Sequence, residues 1–182
     1  MTPAAVFGAL GLAWTAIGLG PPPRAAILTL LAQWAHETGG GLASNNWNLA
    51  GIKHVNGDGH DFARYETFEV INGVSTKVEK EFRAYPSLDD AAFDWLRVLR
   101  RDFAFAWSAV EAGDPVDFAH RLKVQHYYTD TEEVYSAGLR AWFSQLDRQI
   151  PTDAAQAVAV LEVVKPLFVA PGPVPPEIDP AA

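Results

Sequence analysis

One segment of this 182-residue chain differs in periodicity from the segments around it. Polar and apolar residues alternate in ETFEVI and in STKVEKEFRAY, which begin at residues 66 and 75, and Asn72-Gly73 stands between them. Alternation with a period of two indicates strands, and Asn-Gly is the strongest short turn signal for a β-hairpin. Because the flanking segments have helical periodicity, the sequence predicts one small hairpin in a predominantly helical α+β domain.

The segments on either side of the hairpin predict several helices. Residues 4–20 are uncharged and predict a buried amphipathic helix. This run is too short and too rich in glycine for membrane insertion, and it lacks the basic residues that begin a signal peptide. A second helix is predicted over residues 23–38, with an apolar face at Ile27, Leu30, Leu31, Trp34 and Thr38 and a polar face at Arg24, Thr29, Gln33 and His36. Three more helices are predicted over about 88–101, 115–123 and 132–149, the first with Ser87 as N-cap.

The composition sets limits on domains and partners. We assign residues 1–150 to one catalytic-type domain, 151–168 to a C-terminal helix and 169–182 to a Pro-rich tail or linker. The formal net charge is −8, which argues against nucleic acid as a partner, because binding phosphates requires a basic surface. The chain has no cysteine and its five histidines lack metal-ligand spacing, so we expect neither a metal nor a cofactor.

Glu37 is the strongest candidate for chemistry. It lies in AQWAHETGGG, residues 32–41, at the last turn of an apolar helix and before three glycines. Desolvation against Trp34 and the negative end of the helix dipole both predict a raised pKa for this carboxyl group. A carboxyl group that stays protonated near neutral pH suits proton donation to a leaving oxygen in glycoside hydrolysis. The alternative is a surface glutamate at a frayed helix end.

Four blocks of sequence, in order, resemble glycoside hydrolase family 73. They are AQWAHETGGG, NNWNLAGIK, TFEVINGVSTKVEKEFRAYPSLDDAAFDWLRVL and YYTDTEEVYSAGL, and together they span roughly residues 25–145. The family comprises bacterial endo-β-N-acetylglucosaminidases of autolysins, phage wall hydrolases and the flagellar peptidoglycan hydrolase. The resemblance implies a lysozyme-like fold in which a helical lobe and a small β-hairpin lobe flank a substrate cleft. At Ala50 the chain departs from the family, which usually has Phe there.

The resemblance also implies roles for individual residues. Glu37 matches the general acid, and Glu69 occupies the hairpin acid position, as base or as stabiliser of charge on the sugar. The sequence leaves Asp58, Asp61 and Glu66 open as alternatives for the second carboxylate. The side chains expected to contact substrate are Tyr127, Tyr128 (if the turn is shifted by one residue), Asn48 and Trp34. We also expect Asn48 to shape the loop below the catalytic helix.

The function implied is peptidoglycan hydrolysis at the N-acetylglucosaminyl β-1,4 bond by acid/base catalysis. Two alternatives stay open: a muramidase or lytic transglycosylase on the same fold, and a non-catalytic wall-binding module. The substrate places the action in the cell wall or periplasm. Because no clear signal peptide is present, we expect export by holin-dependent lysis, in a phage virion or by a secretion machine.

Overall fold

A computed structural model describes residues 1–42, 45–71 and 74–151, without the side chains of 68–71 and 75. Met1–Pro151 form a compact unit. The helices and strands within the described residues are α1 (Pro3–Ala16), α2 (Arg24–Thr38), β1 (Asp61–Ile71), β2 (Val74–Ala84), α3 (Leu88–Asp102), α4 (Ala104–Ala112), α5 (Pro115–Val124) and α6 (Glu132–Gln149). The predicted α+β class is therefore confirmed. The tail at 169–182 and all but the first residue of the helix predicted at 151–168 lie outside the described residues.

Helix α2 is the central helix of the core. Every residue from Ala26 to Ala35 is at most 1% exposed, because α1, α4, α5 and α6 pack around it. The predicted polar face of α2 is therefore wrong at Thr29 and Gln33, which are fully buried. Their polar atoms find partners inside the protein: Thr29 Oγ1 donates to the Ala25 carbonyl, and Gln33 Nε2 donates to the Tyr135 hydroxyl. A helix that is surrounded by other helices has no solvent face on which a polar stripe would be required.

The predicted hairpin is confirmed in its strands and their pairing. β1 and β2 are antiparallel, with a register that runs from Asp61 opposite Ala84 to Ile71 opposite Val74. The Asn72-Gly73 turn itself lies outside the described residues. The edge of β2 that faces away from β1 is hydrogen-bonded to the segment before the hairpin. There the Arg83 N–H donates to the Ile52 carbonyl at 2.9 Å. The base of the hairpin is thus tied to the loop that follows α2.

Helix boundaries follow local capping, with one helix that the sequence did not predict. Ser87 caps α3 as expected, since its Oγ accepts from the Asp90 N–H at 3.1 Å. Helix α4 begins directly after Phe103, whose non-helical backbone separates it from α3, and it ends at Gly113 with φ +70°. A Cβ atom on Gly113 would lie 2.4 Å from the Ala25 Cβ, so the end of α4 touches the start of α2.

A buried ionic group joins the hairpin to the helices, and we call Arg83, Asp58, Asp94 and Tyr85 the Arg83 network. Arg83 Nε lies 2.9 Å from Asp58 Oδ2, and the Arg83 NH1 group lies 2.6 Å from Asp94 Oδ2 on α3. The Tyr85 hydroxyl donates to the same Asp94 oxygen at 2.7 Å. The three charged side chains are at most 15% exposed. The network therefore fixes the base of the hairpin against α3.

Candidate active site

Glu37 lies in the last turn of α2, where the backbone leaves the helix through a left-handed residue. Gly39 has φ +60°, and the Gly40 N–H returns to the Ala35 carbonyl at 2.8 Å. Glu37 is exposed to solvent, in contrast to the buried residues that precede it in α2. Its carboxyl group nevertheless contacts protein, because the Tyr135 hydroxyl lies against one of its oxygens.

Tyr135 of α6 holds the carboxyl group of Glu37. Its hydroxyl donates to Glu37 Oε1 at 2.6 Å, and Tyr135 itself is only 3% exposed. Behind it, Gln33 Nε2 lies 3.4 Å from the same hydroxyl, and the His36 ring meets the Tyr135 ring edge-on at 4.7 Å. We call Glu37, Tyr135, Gln33 and His36 the Glu37 cluster. Tyr135 was not among the residues that the sequence indicated, although it is the last tyrosine of the block YYTDTEEVYSAGL.

The pKa of Glu37 is raised above its ordinary value. Desolvation by the surrounding protein is the largest influence, and it outweighs the Tyr135 hydrogen bond and the charge interaction with His36, which both lower the pKa. The raised pKa agrees with the prediction from the sequence, although the Glu37 side chain is more exposed to water than predicted. A carboxyl group that is protonated more often than usual and is open to solvent can donate a proton to a bound molecule.

Tyr127 and Tyr128 both lie beside the Glu37 cluster, and both are half-buried. The Tyr127 hydroxyl lies 3.4 Å from the Ala50 carbonyl, and burial together with the charge of Glu37 raises its pKa. The Tyr128 ring stacks on Tyr135 with centroids 3.7 Å apart, while its hydroxyl donates to the Ala119 carbonyl at 3.0 Å. Tyr128 therefore supports the ring that holds Glu37, and Tyr127 connects the cluster to the loop after α2.

Two of the predicted substrate contacts are side chains of the interior. Trp34 is 0% exposed, and a Cβ atom on Gly41 would lie 2.8 Å from its ring, so the glycine lets the chain pass over the indole. Asn48 is 7% exposed, and its amide bonds to the Ile52 N–H and carbonyl and to the Arg83 carbonyl. Contrary to the prediction, neither side chain is available to a sugar. Asn48 instead shapes the loop, in agreement with the other part of its prediction.

The candidates for a second carboxylate differ in their surroundings. Glu69 lies in β1 opposite Thr76, and its side chain is outside the described residues. Asp61 is exposed at the start of β1. Glu66 is an exposed residue whose Oε2 lies 2.6 Å from the Lys77 ammonium.

Asp58 is committed to the Arg83 network. Burial acts to raise its pKa, but the backbone N–H groups of Val55 and His60 and the Arg83 guanidinium lower it to about 2. Arg83 binds Asp58 Oδ2, and the Nδ1 atom of His54 lies 3.1 Å from the second carboxylate oxygen, Asp58 Oδ1. An acid that is held ionised by so many donors is suited to structural support and not to proton transfer.

In the part of the chain that the structure describes, no three His, Cys, Asp or Glu side chains are grouped so that they could hold a metal ion. Among the helices of the same residues, none has the length and apolar character that crossing a bilayer requires.

Comparison with known proteins places this site in a family. Solved structures with the same fold include a C-terminally truncated glycoside hydrolase domain of FlgJ from Salmonella typhimurium. It shares 26% sequence identity with this chain at a TM-score of 0.56, and the match covers 80% of this chain and 98% of the FlgJ domain. A peptidoglycan hydrolase mutant from Sphingomonas sp. A1 shares 24% identity, with a TM-score of 0.60 and coverage of 87% and 96%. The catalytic domain of the autolysin Auto from Listeria monocytogenes shares 22%, with a TM-score of 0.61 and coverage of 80% and 82%.

The similarities to the Sphingomonas and Listeria structures establish the fold alone, and they confirm the predicted lysozyme-like fold. Among curated protein sequences, none matches this chain. The family model described as mannosyl-glycoprotein endo-β-N-acetylglucosaminidase matches residues 25–148, which contain α2, the hairpin and nearly all of α6. The chain therefore belongs to the glucosaminidase family of glycoside hydrolases, family 73.

Proposed function

We propose that this protein is a peptidoglycan hydrolase that cleaves the glycan strand at the N-acetylglucosaminyl β-1,4 bond. The observation that carries the proposal is the carboxyl group of Glu37, which is open to solvent, has a raised pKa and accepts the Tyr135 hydroxyl at 2.6 Å. It lies within the region that matches the glucosaminidase family. The solved structures that this chain resembles include proteins described as peptidoglycan hydrolases, which supports the same substrate.

In this mechanism Glu37 is the general acid. Its proton passes to the glycosidic oxygen as the bond to the anomeric carbon breaks, and positive charge develops on the sugar ring. The hydrogen bond from Tyr135 orients the carboxyl group and stabilises the carboxylate that remains after proton transfer. Tyr135 is therefore a positioning residue, while Tyr127 and Tyr128 line the same region as candidate substrate contacts.

Glu69 is the proposed second carboxylate, as base or as stabiliser of the charged sugar. Asp58 is a weaker candidate because its oxygens are already paired with Arg83 and the backbone, and because its lowered pKa makes it a weak base. Glu66 pairs with Lys77.

The proposed bond is tested by the ends of the fragments that the protein releases from purified sacculi. Mass spectrometry is expected to find reducing N-acetylglucosamine ends. Reducing N-acetylmuramic acid ends would identify a muramidase, and anhydro-N-acetylmuramic acid ends a lytic transglycosylase. Binding to sacculi without release of soluble fragments would identify a non-catalytic wall-binding module. Each of these three outcomes would overturn the proposal.

Tyr135→Phe is expected to move the alkaline limb of the pH–activity profile to higher pH. The Tyr135 hydrogen bond lowers the pKa of Glu37, so its removal raises that pKa further. A general acid works only while protonated, and activity falls as pH rises through its pKa. The profile of initial rates on sacculi measures the shift. Tyr128→Phe is the matched control, because its hydroxyl bonds to Ala119, and an equal shift in both variants would contradict the role of Tyr135.

The protein acts on the cell wall, and its route there is a further part of the proposal. Release with a holin, incorporation in a phage virion and delivery by a secretion machine would each bring the enzyme to its substrate. Immunodetection in virions, in lysates and in secreted fractions of the producing cells distinguishes the three routes.

A further inference from the structure

Trp47 occupies a backbone conformation that tryptophan rarely adopts. The Asn48 N–H donates to the Asn45 carbonyl at 3.0 Å, which closes a four-residue turn. The two central residues both have positive φ, +48° at Asn46 and +58° at Trp47, which is the pattern of a type I′ turn. Asn is well suited to the first of these positions, but the second favours Gly, and a large side chain there is strained. A strained residue of this kind persists where the surrounding structure imposes it, and such residues cluster at functional sites.

Core packing does not account for the indole of Trp47. It is 42% exposed, whereas the other five tryptophans of the chain are buried or half-buried. The strained conformation is therefore not offset by burial of the ring. What the turn achieves is to present a large, flat, apolar ring to solvent.

The turn lies between the Glu37 cluster and the hairpin, and it is fixed on both sides. Toward the hairpin, Asn46 Nδ2 donates to the Tyr65 hydroxyl, and the Asn46 carbonyl accepts from the Tyr85 N–H at 3.1 Å. Toward the cluster, the same loop continues to Ala50, whose carbonyl meets the hydroxyl of Tyr127. Tyr127 lies near Glu37, whose charge contributes to the raised pKa of the Tyr127 hydroxyl. The exposed ring is therefore carried by a loop that is hydrogen-bonded to the hairpin on one side and to Tyr127, beside the Glu37 cluster, on the other.

We propose that Trp47 is a platform on which one N-acetylhexosamine ring of the glycan strand stacks, away from the bond that is cut. This inference rests on the proposed function for the class of ligand. The faces of a β-linked pyranose ring present C–H groups, which pack on the face of an aromatic ring, and a side chain with two rotatable bonds loses little entropy on contact. An uncharged contact also suits a protein with net charge −8 and an anionic substrate.

The decisive variant is Trp47→Gly in the inactive Glu37→Gln background. Gly removes the ring and is the residue that the turn favours, so the melting temperature is expected to stay equal or rise. The probe is glycan strands freed of their peptides, and affinity is measured by isothermal titration calorimetry. We expect Trp47→Gly to weaken binding by about tenfold, which corresponds to the upper end of a single aromatic contact. Trp47→Phe, which keeps a ring, is expected to stay within about threefold of the parent, a loss of at most about 0.7 kcal/mol.

The control is Phe105→Ala, which removes a comparably exposed ring from α4, where the Arg121 guanidinium lies over it at 4.7 Å. Its affinity is expected to equal that of the parent. Equal affinities for the parent and Trp47→Gly, including no binding by either, would overturn the platform. So would an equal loss in Trp47→Phe and Trp47→Gly, or a lower melting temperature in Trp47→Gly. The bond that is cut is read separately from product ends of the active enzyme, so the two proposals can fail independently.

Discussion

Glu37→Gln is expected to lower the rate of sacculus hydrolysis by about a thousandfold, within the range that general acid catalysis contributes. The substitution keeps the shape of the side chain and its capacity to accept the Tyr135 hydroxyl, but it removes the proton that the glycosidic oxygen requires. Because Glu37 is exposed to solvent and lies outside the core, the variant is expected to fold as the parent does. The change therefore isolates the chemistry from the structure.

The measurement is the initial rate of soluble fragment release from purified sacculi, with melting temperatures recorded in parallel. Glu133→Gln is the matched control, because Glu133 is an exposed glutamate in the first turn of α6. It is expected to retain the parental rate. A Glu37→Gln variant that keeps more than about one tenth of that rate would remove Glu37 from the mechanism, because general acid catalysis contributes at least about a hundredfold.

The second large effect is expected at Arg83, where Arg83→Ala should lower the free energy of unfolding by roughly 2–3 kcal/mol. Removing one partner of a buried ion pair leaves the other uncompensated, which costs about 3–5 kcal/mol in a protein interior. Here the substitution removes the guanidinium from both Asp58 and Asp94, while Asp58 keeps its backbone donors and Asp94 keeps the Tyr85 hydroxyl. The expected loss is smaller than the interior value because these donors remain, and because the three charged side chains are 9–15% exposed, so that nearby water screens their charges.

Chemical denaturation measures this loss, and Arg64→Ala provides the control on the same hairpin. Arg64 pairs with Glu81 at 2.8 Å but is 59% exposed, so its removal should cost less than about 1 kcal/mol. Equal losses in the two variants would show that the Arg83 network contributes no more than a surface pair.

The pH dependence of the Arg83→Ala loss follows from Asp58. Its folded-state pKa is lowered to about 2, below the unfolded value of about 4. The ionised group therefore stabilises the fold fully above about pH 4, and this contribution disappears as pH falls toward 2. The difference between Arg83→Ala and the parent should be greatest near neutral pH and shrink below pH 4. A difference that grows on acidification would contradict this assignment.

Local features of the sequence were sufficient for much of the architecture. The alternation around Asn72-Gly73 predicted the two strands, and Ser87 predicted the start of α3, because each depends on residues adjacent in the chain. Helix α4 was missed since it is short and follows α3 after a single non-helical residue, Phe103. No glycine or proline separates the two helices in the sequence.

The sequence by itself determined the class of fold, the hairpin and the position of Glu37 at the end of α2, because periodicity and helix termination are local properties. Only the tertiary structure decided which side chains surround that acid. Tyr135 lies 98 residues from Glu37 and reaches it through the packing of α6 on α2. The same packing buries Trp34 and Gln33. Helical periodicity identifies a face that can be buried, but the neighbours that cover it depend on how distant helices come together, and no local pattern encodes that.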